Sequence, residues 1–150
     1  MQSDSSPGAP GAKAVFSVTV PIRWGDLDAQ NHLSNVVYFR LFEEARIHML
    51  NRMRTADPDA RRMNMLAHAS CDYLRPVHYP ATLRIDHTLN RIGRTSLDFS
   101  LEMRCADNPD IVYARGRYVL VGADLETGRP VPWSEPQLDV LRSTFSITET

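Results

Sequence analysis

Cysteine is scarce in this 150-residue chain: Cys71 and Cys105 are the only two, and they form no CxxC or other metal-like spacing. That argues against a disulfide-stapled scaffold and a cysteine-ligated zinc site. Both lie in strand-like segments and read as reduced, buried thiols of a cytoplasmic protein. Long apolar runs are missing too. None approaches the roughly 18 residues that a membrane span needs, so no membrane partner is expected. There is no excess of positive charge: 17 Lys and Arg against 18 Asp and Glu give a net charge of -1. Domains that bind polyanions usually carry such an excess, so nucleic acid is not an expected partner. The opening "MQSDSSPGAPGAKA" has no apolar h-region and is not a signal peptide. It is a Ser/Gly/Pro/Ala stretch with nothing to bury. Residues 1–14 therefore read as a disordered tail, and residues 15–150 as one domain.

What is present is strong periodicity. Hydrophobic residues make up 43% of the chain, enough for a core. In "VFSVTVPIRW", Phe16, Val18, Val20, Ile22 and Trp24 alternate onto one face, the mark of a strand. Further on, Tyr38, Phe42, Ala45, Met49 and Met53 recur at helical spacing. Val36, Val37, Phe39, Leu41 and Ile47 widen that stripe, which predicts a helix of about five turns, more buried than a surface helix. "ADPD" at 56–59 ends it. From about residue 64 to 122 the period is two. Leu83, Ile85, His87 and Leu89 share one face. So do Leu97, Phe99, Leu101, Met103 and Cys105, and then Ala114, Gly116, Tyr118 and Leu120. Breaks fall at 74–81, 91–95 and 106–110. Ser134 and Gln137 form a capping box for a short closing helix. One strand, one long helix and about four strands on short connections predict an α+β fold with a mostly antiparallel sheet. A helix apolar on most sides requires that sheet to curl around it.

Between the first strand and the helix lies "DLDAQNHLSN", with two aspartates, a histidine and two asparagines. Turn and cap duty accounts for Asn31 and Ser34, and Asn31, Ser34 or Asn35 could cap the helix. It does not account for Asp26, Asp28 and His32 together. A calcium loop fails, because Asn31 would stand where Gly is required and Val37 where Glu is required. Zinc lacks an HxxxH or His/Cys pair, so no metal is expected. A catalytic reading is more economical. A helix N-terminus offers unpaired N–H donors and a positive dipole end, which can hold a developing oxyanion. A carboxylate just upstream can attack the same carbonyl or activate water against it. Acyl transfer from an activated ester fits this layout.

The segment "VPIRWGDLDAQNHLSNVVYFRLFEEAR" resembles the N-terminal signature of hotdog-fold acyl-CoA thioesterases of the 4-hydroxybenzoyl-CoA thioesterase type. Trp24, Asp26, Asp28, His32, Asn35, Tyr38, Glu44, Ala45 and Arg46 match it in order. "YLRPVHY", "RIGRTS" and "GRPVPW" resemble later blocks, so the likeness spans nearly all the chain beyond the tail. One departure stands out: Pro80-Ala81 replaces the Gly-Asp that the family commonly carries after "RPVHY". The resemblance implies a five- or six-stranded antiparallel sheet wrapped around one long central helix. It implies hydrolysis of an acyl-CoA to free acid and CoA without added cofactor. Asp28 is then the catalytic carboxylate, as nucleophile or general base. The backbone N–H near Asn35 is the oxyanion donor, and His32 organises the loop or touches substrate. Asp26 and Tyr38 are expected on the substrate side, Asp26 as an orienting neighbour and Tyr38 with a share in the core. CoA phosphates call for Arg75, Arg91, Arg94 and the Ser96 hydroxyl. Glu44 and Arg46 are expected in ion pairs or interface contacts, and His87 as a satisfied core histidine. The family's active site lies between subunits, which implies a homodimer or homotetramer.

Two other activities fit the same fold less well. A hydratase or dehydratase of enoyl or hydroxyacyl thioesters commonly uses Asp-x-Asn-Pro-x-His, but here Asp28 and His32 have three residues between them and no Asn-Pro. A non-catalytic acyl-CoA-binding protein has no use for a carboxylate beside the thioester. The acyl group itself is not encoded in any motif.

Overall fold

The alternation of Phe16, Val18 and Val20 builds β1 (Phe16–Pro21), and Pro21 stops it. In the computed structural model, which describes residues 14–147, a 3-10 turn follows at Trp24–Asp26. Then come α1 (Asn35–Ala56), β2 (Arg62–Tyr73), β3 (Thr82–Ile92), β4 (Ser96–Cys105), β5 (Ala114–Asp124) and α2 (Glu135–Thr144). The expected disordered tail lies outside the described residues, apart from Ala14. Five strands form one sheet in the order β1-β3-β4-β5-β2, and every neighbouring pair is antiparallel. With two helices against one antiparallel sheet, the fold is α+β.

The period-two residues do form the inner face. Leu83, Ile85, His87 and Leu89 of β3 are buried, as are Leu97, Phe99, Leu101 and Met103 of β4. Against them lie Tyr38, Leu41, Phe42, Ala45, Met49 and Met53 of α1, in the same core cluster. Each large side chain removed from water in this way contributes about 1.5–3 kcal/mol. Leu141 of α2 and Trp133 before it close the core. The Ser134 hydroxyl accepts the Gln137 amide and the Gln137 side chain accepts the Ser134 amide, so the expected capping box is present. Cys71 and Cys105 are both free thiols; Cys105 is buried and Cys71 half-buried.

Two expectations need correction. Trp24 does not continue the β1 face. The chain leaves the sheet at Pro21, and Trp24 swings out in the 3-10 turn with 75% of its surface exposed. The stripe on α1 is also narrower than expected. Val36, Phe39 and Ile47 are 69%, 39% and 49% exposed, because one sheet layer and α2 cover only one side of the helix. β2 is exposed as well: among the described residues it pairs with β5 alone, and Met65, Leu66 and Tyr73 on it are each nearly half exposed.

Gly116 of β5 sits directly beneath the Phe42 ring. A Cβ there would lie 2.8 Å from Phe42 Cε2 and 3.2 Å from Leu101 Cδ1. The helix can approach the sheet this closely only because the strand lacks a side chain at this point. Gly116→Val is therefore expected to lower stability by about 1–3 kcal/mol through overpacking. Urea unfolding measures this as a lower midpoint at unchanged slope.

Candidate active site

The loop before α1 is built around Asp26. Its carboxylate is 3% exposed and accepts the Arg23 amide at 2.8 Å and guanidinium donors of Arg23 at 3.0 Å and Arg40 at 2.8 Å. Its carbonyl accepts the Ser34 amide at 2.9 Å. Burial would raise its pKa, but the Arg23 amide and guanidinium and the Arg40 charge together hold it below the usual carboxylate value. Asp26 is thus a brace between the 3-10 turn and α1, and it does not line the pocket described below.

Asp28 sits on a tight turn. Its amide donates to the His32 carbonyl at 2.8 Å, and Asn31 adopts φ 62°. Asparagine tolerates this left-handed backbone better than most residues, so turn duty does account for Asn31. Asp28 Oδ1 accepts the Gln30 amide at 2.8 Å and the His32 amide at 3.3 Å. Among the described residues Oδ2 has no hydrogen-bond partner. The carboxylate is therefore fixed by one oxygen and free at the other.

Ser34 occupies the N-cap position of α1, but its hydroxyl makes no cap hydrogen bond. The sequence allowed Ser34 as a cap; only its backbone serves, its carbonyl accepting the Val37 amide at 2.9 Å. The Asn35 and Val36 amides find no acceptor among the described residues. A helix start left open in this way keeps its donors and its dipole for a ligand.

These features meet in one pocket of about 300 Å³, lined by Asp28, His32, Asn35, Tyr38, Tyr73 and Arg75, with Leu33, Leu74 and Pro76. Tyr38 is both core and wall. It is 3% exposed and packs edge-on against Tyr73 with ring centroids 4.8 Å apart. Burial, then the neighbouring Cys71 and Tyr73, push its phenol up to about 12, so it stays protonated near neutrality. His32 stacks edge-on with His78 at 5.0 Å. Tyr73 was not anticipated. It lies on β2, and its hydroxyl donates to the Asn35 carbonyl at 3.0 Å. No local pattern in its strand marks this role, because its partner is 38 residues away in sequence.

The other expected ligand residues are not brought to this pocket by the single chain. Arg91, Arg94 and Ser96 stand around the β3–β4 turn, whereas the loop bearing Asp28 leaves the sheet beside Thr82. Thr82 and Ile92 lie at opposite ends of β3, roughly 30 Å apart at strand rise. Glu44 is exposed and makes no ion pair among the described residues. His87 is buried as expected, but it is not satisfied: neither ring nitrogen has a partner. Burial, reinforced by the Arg46 charge, lowers its pKa to about 3, which keeps it neutral and rules it out as a titrating base. Among the described residues no three His, Cys, Asp or Glu side chains converge as a metal site. No helix among the described residues is long and apolar enough to cross a membrane.

Residues 22–141 match the profile of the Thioesterase-like superfamily. The chain belongs to that superfamily. A thioesterase from Thermus thermophilus, solved with coenzyme A and zinc, is 29% identical. That alignment covers 90% of this chain and 96% of the other, with a TM-score of 0.73. The uncharacterised protein YsmA of Bacillus subtilis (strain 168) is 29% identical over 130 residues, 86% of each chain. A 1,4-dihydroxy-2-naphthoyl-CoA thioesterase from Synechocystis is 18% identical, with 85% and 95% coverage and a TM-score of 0.73. At that identity the likeness speaks for the fold alone. The hotdog-type thioesterase resemblance read from the sequence is borne out.

Asp26 provides a pH test of the loop. Its folded pKa lies below the ordinary 3.8, so its contribution is complete above 3.8 and fades as pH falls through the lowered value. Asp26→Asn should be less stable than wild type at neutral pH. The difference between the two in urea midpoint should shrink at pH values below 3.8.

Proposed function

We propose that this chain hydrolyses an acyl-CoA thioester to the free acid and CoA. One observation carries the reading: a carboxylate with a free oxygen, Asp28, and an uncapped helix N-terminus at Asn35 line the same pocket. The thioester carbonyl lies between them, with its oxygen on the Asn35 amide. Asp28 either attacks the carbonyl carbon, giving an anhydride that water opens, or takes the proton from an attacking water. In both routes the C–S bond breaks and CoA thiolate leaves. A well-placed oxyanion donor supplies about 3 kcal/mol of transition-state stabilisation. His32 holds the turn and the pocket wall, and Arg75 stands where a CoA phosphate can reach it. The Thermus relative solved with coenzyme A supports CoA as the carrier.

The functional unit in this reading is a homodimer or homotetramer. β2 offers an unpaired outer edge with exposed Met65 and Leu66, and such an edge pairs readily with another strand. A second copy on β2 would close the groove along α1 and complete the wrapping of the helix. It would also allow Arg91, Arg94 and Ser96 of one protomer to serve a CoA bound to the other.

Thiol release from short, long and aromatic acyl-CoAs tests the chemistry. Asp28→Asn is expected to lose about 100-fold or more in kcat while staying folded. Equal turnover in the two proteins would remove Asp28 from the mechanism. Size-exclusion chromatography with light scattering should give two or four times the 17.0 kDa chain mass. A mass of one chain would overturn the shared-site arrangement.

A further inference from the structure

A second cavity follows the first along the seam between α1 and β2. Tyr38 lines the first and Phe42, one helical turn on, lines the second. On β2, Tyr73 and Ser70 are placed in the same way. The second cavity measures about 270 Å³, and Phe39, Phe42, Leu66, Leu101 and Tyr118 give it a largely apolar wall.

Three arginines also reach this cavity, and they differ in one respect. Arg40 is spent on Asp26 at 2.8 Å. Arg117 grips Asp98 through two hydrogen bonds of 3.1 and 2.7 Å. Arg46 has no such partner. Its side chain is only 11% exposed, yet its guanidinium makes no hydrogen bond among the described residues. Among the described residues its one ion pair is to Glu43, which also lines the cavity, at 3.9 Å, beyond hydrogen-bond range, and that carboxylate is 67% exposed. A pair of this length to a solvated carboxylate contributes little. On its other side the guanidinium stacks over the Tyr118 ring at 5.1 Å. Close by, the Tyr118 hydroxyl and both His87 nitrogens are buried without partners. The Arg46 nitrogens are not sealed off in this way, so their donors still face water and are open to an acceptor that enters the cavity.

We infer that this cavity receives the far end of the acyl group, that this end carries a carboxylate, and that Arg46 binds it. The inference rests on the thioesterase reading and specifies its substrate class. Arg46 lies eleven residues after Asn35, about 16 Å along the helix axis. A helical arginine leans back toward the N-terminus, which shortens the gap to the thioester carbonyl. A medium-length α,ω-diacid spans it, with its methylenes on Phe39, Phe42 and Leu66. The planar fork of Arg46 matches a carboxylate through two parallel hydrogen bonds. Arg46 is a specificity residue, since it touches the distal end of the substrate and not the reacting carbonyl.

The test compares suberyl-CoA with octanoyl-CoA, which differ by the terminal carboxylate. CoA release is measured for wild type, Arg46→Met and Arg46→Lys. Wild type should prefer suberyl-CoA by about tenfold or more in kcat/KM, mainly through KM. Arg46→Met should level or reverse that ratio, and Arg46→Lys should keep part of it. A wild-type preference for octanoyl-CoA overturns the inference. So does a ratio unmoved in Arg46→Met, including when Tm or oligomer size falls, which would make Arg46 a structural counter-ion. Titration of Asp28→Asn with the two thioesters reads the same preference without turnover. Tighter binding of suberyl-CoA there with no hydrolysis by wild type would sink the hydrolase reading alone. Equal affinity would sink the carboxylate inference alone.

Discussion

The buried Asp26 carboxylate is the constraint on which the rest of the site depends. It takes hydrogen bonds from Arg23 before it and from Arg40 on α1, while its carbonyl takes the Ser34 amide. Strand exit, loop and helix entry are thereby tied at a single residue. Asp28, two residues later, inherits a fixed position relative to the helix start. A carboxylate this deeply buried is tolerated only because its partners are charged and well aligned; removing one would leave an uncompensated charge. These bonds hold the loop in this conformation and fix the Asp28 carboxylate relative to the helix start.

Around that brace, the fold leaves one side unfinished. α1 buries a single stripe on the sheet, and Phe39 of its open flank lines a groove with Leu66 of β2. Among the described residues β2 itself has a partner on one edge only. Charge follows the same division. Arg84 and Arg104 are neutralised by Asp86, and Arg117 by Asp98, whereas Arg46, at the groove, has only a distant and solvated carboxylate. Apolar surface and an unspent cation in one groove are properties of a binding site rather than of a finished core.

Most of the fold was legible because its elements are written in local periods. The alternating residues of β3 and β4, the core stripe of α1 and the Ser134–Gln137 box all stand where spacing placed them. The misreadings share a physical cause. Trp24 follows the strand period but comes after Pro21, and backbone geometry overrides pattern there. Val36, Phe39 and Ile47 are apolar, but burial depends on whether another layer exists to cover them. Ser34 has the side chain of a cap and does not use it. Of the candidate site, Asp28, His32, Asn35, Tyr38 and Arg75 converge on one pocket. Arg91, Arg94 and Ser96 lie at the far end of the sheet.

The sequence by itself determined the order of strands and helices, the residues that face inward and the crowding of polar groups before α1. Those properties depend on side-chain type and spacing over a few residues, and chain chemistry sets them directly. Only the tertiary structure decided who meets whom: Tyr73 with the Asn35 carbonyl, Arg40 with Asp26, Arg46 with no counter-ion within hydrogen-bond reach. Such pairings depend on how distant segments are brought together. A period records that a residue is buried; it does not record its neighbour, because that neighbour is supplied by sheet register and helix placement across the whole chain.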